Sequence, residues 1–193
     1  MMHPWKHFKT ITKHKLLVMH YCFRAGLYRQ GLLHDLSKYS PVEFLVGCKY
    51  YQGDRSPNNA EREDTGLSKS WLHHKGRNRH HFEYWIDYVP GDEHIINGVP
   101  MPRRYIAEMV MDRISASRNY LGDQYDQSQP LEYFMKSKEK LWFIHPKTKR
   151  DVEGLLRILN DHGEEVLISY IKNVYLKKDK LEKRKKYTGN GKK

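Results

Sequence analysis

His34 and Asp35 are adjacent in the chain, and Lys38 follows four positions after His34. Imidazole nitrogen and carboxylate oxygen suit Mn, Fe, Co, Ni or Zn as ligands. If the three residues share a helix, Lys38 projects near the same ion, one turn further on. A His–Asp pair alone is a weak motif, and its alternative is a surface histidine at a helix end beside a capping aspartate.

Further imidazole and carboxylate groups stand on both sides of this pair. His14 and His20 precede it, and Asp112 follows in a long segment with helical periodicity. Two pairs of histidines lie between, at positions seven residues apart: His73, His74, His80 and His81. Residues seven apart share one face of an unbroken helix, but Gly76 is expected to bend this one.

The elements that must position these groups are predicted to be helices. Apolar residues recur at helical spacing along most of the chain, and no segment alternates convincingly at a period of two, which predicts an all-α protein. With 193 residues the chain is expected to form one domain. We divide it into a lead (1–9), a helical domain (10–176) and a basic tail (177–193).

Five of the predicted helices carry candidate residues. Two of them, over about residues 13–25 and 67–75, carry His14 and His20 and the first pair of histidines. The His–Asp pair falls near the end of a helix predicted over residues 28–36. Asp112 falls in a long helix predicted over residues 101–121, after a Pro- and Gly-containing loop. The second pair of histidines falls in the first turn of a helix predicted over residues 79–88, which Asn78 is expected to cap.

Composition excludes several classes of protein. An aromatic share of 12% argues against disorder, and two cysteines without CxxC spacing, Cys22 and Cys48, argue against a disulfide scaffold. We find no apolar leader in residues 1–15 and no uninterrupted apolar span, and therefore expect a cytoplasmic protein. The net charge of +12 favours an anionic partner, and the basic tail is a candidate for nucleic-acid binding.

The order of these groups resembles the HD-domain superfamily of metal-dependent phosphohydrolases, in which HDLSK at residues 34–38 corresponds to the HDxxK signature. Longer strings resemble more closely an uncharacterised bacterial and phage family of HD type: ITKHKLLVMHYC, GLLHDLSKYSPVEF, KYYQGDRSP, WLHHKGRNRHHFEYW and MVMDRISASRNYLG. This resemblance covers residues 10–121 and extends less sharply to residue 146. It implies a single-domain helical bundle of HD type.

The resemblance also implies a set of metal ligands. In the superfamily a first histidine, the His–Asp pair and a last aspartate hold one ion; the corresponding residues here are His14, His34, Asp35 and Asp112. Some members hold a second ion with additional histidines, and Asp35 would then bridge the two ions. The additional ligands would come from His74, His80 and His81.

His14 and His20 compete for the role of first ligand. A hairpin symmetric about Gly26–Leu27 would place His20 level with His34, which favours His20. The family pattern around Lys13-His14-Lys15 favours His14, and we take His14 as the ligand.

The implied activity is hydrolysis of a phosphoester, with a nucleotide as the expected substrate and water activated by one or two divalent transition-metal ions (Mn, Fe, Co, Ni or Zn). Lys38 and Arg77 are then the predicted catalytic residues, because cations neutralise charge that develops on phosphate. Lys75, Asn78 and Arg79 are the predicted substrate-binding residues.

Three alternatives stay open at this stage. Enzymes of the same type include non-haem di-iron oxygenases. The protein is instead a non-catalytic module if a metal or anion is structural and the basic tail binds nucleic acid or a partner. The histidine pairs, together with their basic neighbours, are alternatively a phosphate-contacting patch without metal.

Overall fold

The computed structural model describes residues 2–88, 90–91 and 95–177. Most of these residues are helical, and they form a single compact domain. The helices are α1 (Pro4–Arg24), α2 (Tyr28–Leu33), α3 (Pro41–Lys49), α4 (Pro57–Thr65), α5 (Lys69–Lys75), α6 (Arg103–Leu121), α7 (Gln129–Lys138) and α8 (Pro146–Tyr170). The predominantly α-helical fold predicted from the sequence is confirmed.

Helix α1 begins at Pro4 rather than near residue 13, so most of the predicted lead is helical. Proline is favoured in the first helical turn because it has no N–H to leave unpaired there. At the other end of the chain, α8 is broken at Gly163, whose backbone is non-helical (φ 81°), and a π-helical turn, Ile171–Tyr175, follows it. Of the predicted basic tail, 177–193, all but residue 177 lies outside the described residues.

A small antiparallel hairpin interrupts the helical order. Strands β1 (Ile86–Tyr88) and β2 (Ile96–Gly98) pair with Asp87 opposite Asn97. The helix predicted over residues 79–88 is therefore wrong: a short 3-10 helix, Phe82–Tyr84, leads directly into β1. Three-residue strands are too short to show the alternation that identifies a strand in a sequence.

The apolar core lies where α1, α6 and α8 pack together. Val18, Ile106 and Leu156, one from each helix, are fully buried. Helix α2 folds back onto α1 at Gly31, where an added Cβ would lie only 3.0 Å from the Cβ of Cys22. This close approach places the end of α2, and the His–Asp pair after it, against the middle of the molecule.

Both cysteines are free thiols, in agreement with the prediction that the chain is not a disulfide scaffold, and both are buried. Among the described residues, none of the helices is both long enough and apolar enough to cross a membrane.

Candidate metal centre

Asp35 lies at the centre of a buried group of histidines and carboxylates. Helix α2 ends at Leu33, so His34 and Asp35 form the turn after it instead of lying in the helix as predicted. The backbone of Asp35 is left-handed (φ 54°, ψ 24°), a conformation that aspartate tolerates better than most residues. This turn directs the Asp35 carboxylate into the protein, where the residue is 2% exposed.

One oxygen of Asp35 faces the first group of candidate ligands. Asp35 Oδ2 lies 3.3 Å from His34 Nε2 and 3.8 Å from His14 Nε2. Asp112, from α6, completes the group, with its Oδ1 3.0 Å from His14 Nε2 and 3.6 Å from His34 Nε2. Four donor atoms from three separate parts of the chain therefore lie close enough together to hold one metal ion.

The other oxygen of Asp35 faces a second group. Asp35 Oδ1 lies 3.4 Å from Nε2 of both His74 and His80. His81 Nε2 lies 2.9 Å from His74 Nε2. These four residues also lie close enough together to share an ion, so Asp35 belongs to two ligand sets. We call the sets site 1 (His14, His34, Asp35 and Asp112) and site 2 (Asp35, His74, His80 and His81).

Several ligand atoms are buried and have no hydrogen-bond partner among the described residues. They are Nε2 of His14, His34 and His80, and Oδ1 of Asp35. Nearly all buried polar atoms in folded proteins are satisfied, because an unpaired one costs about 1–3 kcal/mol. Their convergence on one carboxylate fits a bound cation, and the mixture of imidazole and carboxylate suits transition metals.

Two buried glutamates contact the Nδ1 atoms of His34, His80 and His74, whose Nε2 atoms face Asp35. Glu108 Oε1 lies 3.0 Å from His34 Nδ1 and 3.3 Å from His80 Nδ1, so it contacts one ring of each site. Glu43 contacts Nδ1 of both His74 and His73, at 2.8 and 2.6 Å. A carboxylate on Nδ1 fixes the ring so that Nε2 is free to bind metal.

Sequence reasoning missed the role of both glutamates. Glu108 precedes Asp112 by one helical turn, so the two carboxylates share a face of α6, which is a signal available in the sequence. Glu43 lies in the first turn of α3, where an acidic residue is favoured by the helix dipole alone. The sequence therefore provided no reason to assign Glu43 a second role. Only the fold brings it to the histidines of α5.

The electrostatics of the group keep its carboxylates ionised. Burial alone raises the pKa of Asp35, but His34, Lys38 and His74 outweigh it and hold that pKa well below its usual value. For Asp112, the neighbouring His14 and His34 rings outweigh burial in the same way and lower its pKa. Ionised carboxylates are the form that binds metal.

The surroundings shift the pKa values of His81 and His34 in opposite directions. Burial, reinforced by the neighbouring His80 and His74, lowers the pKa of His81 well below its usual value, which leaves a neutral ring. Burial also acts to lower the pKa of His34, but Asp35 and its other carboxylate neighbours outweigh this and raise that pKa well above 6.5. Since metals bind the neutral imidazole, a metal ion at site 1 would compete with a proton for His34.

Lys38 lies at the edge of the group, with its Nζ 2.6 Å from Asp35 Oδ2. Asp35 outweighs the effect of burial and raises the pKa of Lys38, so the ammonium group stays charged. The Asp112 side chain is 18% exposed, compared with 3% for Asp35. The group is therefore partly open at Asp112, and His81 is the other candidate ligand that is only partly buried.

The remaining predicted residues lie around this group. His14 is buried at site 1, whereas His20 is exposed and belongs to neither site. Asn78 is buried, and its amide donates to Ser37 Oγ and to the backbone carbonyl of His74, both at 2.8 Å. Since no helix begins at residue 79, Asn78 holds the turn that carries His74 instead of capping a helix.

The predicted basic residues other than Lys38 make no described hydrogen bond or ion pair with a ligand side chain of either site. Lys75 is half-buried in the last turn of α5, and Arg77 and Arg79 are exposed in the turn after it. Arg77 donates to the backbone carbonyl of His73, and Arg79 donates to the hydroxyls of Tyr84 and Tyr105. Both arginines line a separate cleft, described below.

Comparison with protein families shows that the chain belongs to a family of unknown function, DUF5662, whose model matches residues 3–158. The matched part includes both candidate metal sites. Comparison with curated proteins and with solved structures gave no match.

Proposed function

We propose that the protein is a metal-dependent phosphohydrolase of HD type that acts on a nucleotide or a related phosphoester. The observation that carries the proposal is the position of Asp35. Its two oxygens face two different groups of imidazole nitrogens, and three of those nitrogens are buried without a hydrogen-bond partner among the described residues. This is the arrangement expected of a carboxylate that bridges two ions.

The donor set fits divalent Mn, Fe, Co, Ni or Zn. His14, His34, Asp35 and Asp112 would hold one ion, and Asp35, His74, His80 and His81 would hold the other. When bound, such ions act as Lewis acids that polarise a phosphoryl oxygen and lower the pKa of water toward neutrality.

Lys38 supports a phosphate substrate in particular. Its ammonium group contacts Asp35, and its side chain also lines a cavity of about 60 Å³ with Tyr51, Arg55 and Tyr120. Lys38 lines this cavity and Asp35 does not, so a phosphate bound in the cavity would contact Lys38. The charge of Lys38 then orients the phosphate and stabilises negative charge that develops on it.

The proposal is tested by hydrolysis assays on the full chain loaded in turn with each of the five metals. The substrates are nucleoside mono-, di- and triphosphates, a phosphomonoester and a phosphodiester. We expect hydrolysis of at least one class, loss of it in Asp35→Asn, and a decrease in kcat of about 10²-fold in Lys38→Gln. Lys69→Gln, an exposed lysine on α5, is the matched control and should retain activity. No hydrolysis with any metal, or equal activity in Asp35→Asn, would overturn the proposal.

A feature shared by the two sites favours a second candidate, a non-haem di-iron oxygenase of HD type. Imidazole and carboxylate ligands suit iron, and Asp35 belongs to both ligand sets. This candidate predicts that the iron-loaded protein consumes oxygen in the presence of an organic substrate. It fails if iron supports hydrolysis no better than Mn or Zn and no oxygen is consumed.

A further inference from the structure

A cleft of about 310 Å³ lies beside the metal centre and is lined by four arginines. The arginines come from three parts of the chain: Arg29 from α2, Arg77 and Arg79 from the turn after α5, and Arg104 from α6. We call it the arginine cleft. Its volume is at the lower end of the range found for small-molecule sites, about 300–1,000 Å³.

The positive charge of the cleft is not neutralised by pairing within the described part of the chain. None of the four arginines has a described carboxylate within 4.0 Å, whereas arginines elsewhere, such as Arg55 and Arg157, do. A concave surface with this many unpaired guanidinium groups attracts anions strongly.

Aromatic side chains hold two of the guanidinium groups in place. Arg79 donates to the hydroxyls of Tyr84 and Tyr105, each at 3.2 Å, and Arg104 lies over the Tyr105 ring at 4.9 Å. Ordering these side chains before a ligand arrives reduces the entropy lost on binding. Guanidinium groups also match phosphate oxygens in a paired, two-bond geometry that lysine cannot provide.

The cleft is separated from the metal centre by His80 and Glu108, which form part of its wall. The imidazole of His80 directs Nε2 toward Asp35 and Nδ1 toward Glu108. A ligand in the cleft therefore lies on the Glu108 side of His80, away from the atoms that face Asp35.

We propose that the arginine cleft binds a ligand with adjacent phosphate groups, of the polyphosphate or nucleoside polyphosphate class, at a site separate from the two metal sites. Four exposed guanidinium groups around one cleft exceed what a single phosphate needs and suit two or three consecutive phosphates. The proposal does not depend on phosphohydrolase activity, because it requires no reaction at the metal centre.

The test is isothermal titration calorimetry of the full chain with inorganic orthophosphate, pyrophosphate and tripolyphosphate. We expect affinity to rise along this series and to fall at least tenfold in the double variant Arg29→Gln/Arg104→Gln. The control is Arg62→Gln/Arg150→Gln, which removes two exposed arginines from α4 and α8. Circular dichroism of each variant verifies that the helices are intact.

Asp35→Asn separates this proposal from the proposed function. Binding of tripolyphosphate that persists in Asp35→Asn and is lost in Arg29→Gln/Arg104→Gln places the ligand in the arginine cleft, whether or not any hydrolysis is detected. The proposal is overturned if the wild type binds none of the three phosphates, if the double variant binds tripolyphosphate as tightly as the wild type, or if Asp35→Asn alone removes binding.

Discussion

Replacing Glu108 by glutamine is expected to weaken metal binding at both sites at once. One oxygen of this carboxylate contacts Nδ1 of His34 at site 1 and Nδ1 of His80 at site 2. Burial alone raises the pKa of Glu108, but hydrogen bonds from these two rings outweigh it, and that pKa lies below its usual value. Glu108 is therefore an ionised partner of one ligand in each site.

The size of the effect follows from this geometry. Loss of a carboxylate partner of a ligating histidine costs about 10–100-fold in metal affinity. Since the same Oε1 accepts from both rings, the carbonyl oxygen of a glutamine can retain both hydrogen bonds, and only the charge is lost. We therefore expect the lower end of the range, about tenfold at each site, which corresponds to about 1.4 kcal/mol.

The assay is competition for Zn²⁺ or Mn²⁺ against a chromophoric chelator, which yields two binding constants. Glu43→Gln should affect site 2 alone, because Glu43 contacts His74 and no ligand of site 1. Glu61→Gln is the matched control: Glu61 is as buried as Glu108 but hydrogen-bonds Ser68 and Ser70 and no candidate metal ligand. The reasoning is refuted if Glu108→Gln and Glu61→Gln give the same constants as the wild type, or if Glu108→Gln affects one site only.

Two further predictions concern stability. Gly47→Ala should lower the free energy of unfolding by about 1–3 kcal/mol, because an added Cβ would collide with the His7 ring. Gly154→Ala should raise it by about 0.5–1 kcal/mol, because Gly154 lies in α8 with open space around it. Urea denaturation measures both free energies, and equal effects of the two substitutions would contradict the prediction. Burial raises the pKa of Glu61, but its hydrogen bonds with serines outweigh burial and lower that pKa below 4.5. The stabilisation of the fold by the Glu61 carboxylate is therefore fully present above pH 4.5 and is lost as the pH falls. The difference in stability between wild type and Glu61→Gln should therefore be larger at pH 7 than at pH 3, and a difference that does not change with pH would contradict it.

The sequence predicted the long helices well because their signals are local. Periodic apolar residues and a stopping glycine are sufficient to place the helix that became α6, and Ser40-Pro41 is sufficient to start α3. The same local signals predicted a helix over residues 79–88, where the chain instead forms a 3-10 helix and a short strand. There the pairing of β1 with β2 determines the structure, and that contact is not visible in the local pattern.

Most candidate ligands could be identified from the sequence, but their positions relative to one another could not be predicted. The choice between His14 and His20 depended on where α1 and α2 meet, and a hairpin symmetric about Gly26–Leu27 favoured the wrong residue: His20 is exposed, and His14 is buried beside Asp35. The left-handed turn at Asp35 lies where a continuous helix was predicted.

The central claim is that Asp35 bridges two metal ions, and elemental analysis tests it most directly. The protein is purified without chelators and without a histidine tag, as wild type and as Asp35→Asn, and each is measured before and after reconstitution with Mn, Fe, Co, Ni or Zn. We expect about two equivalents of metal in the reconstituted wild type and a loss at both sites in Asp35→Asn, because each of the two oxygens belongs to a different ligand set. No bound metal after reconstitution, or the same content in both proteins, would contradict the account.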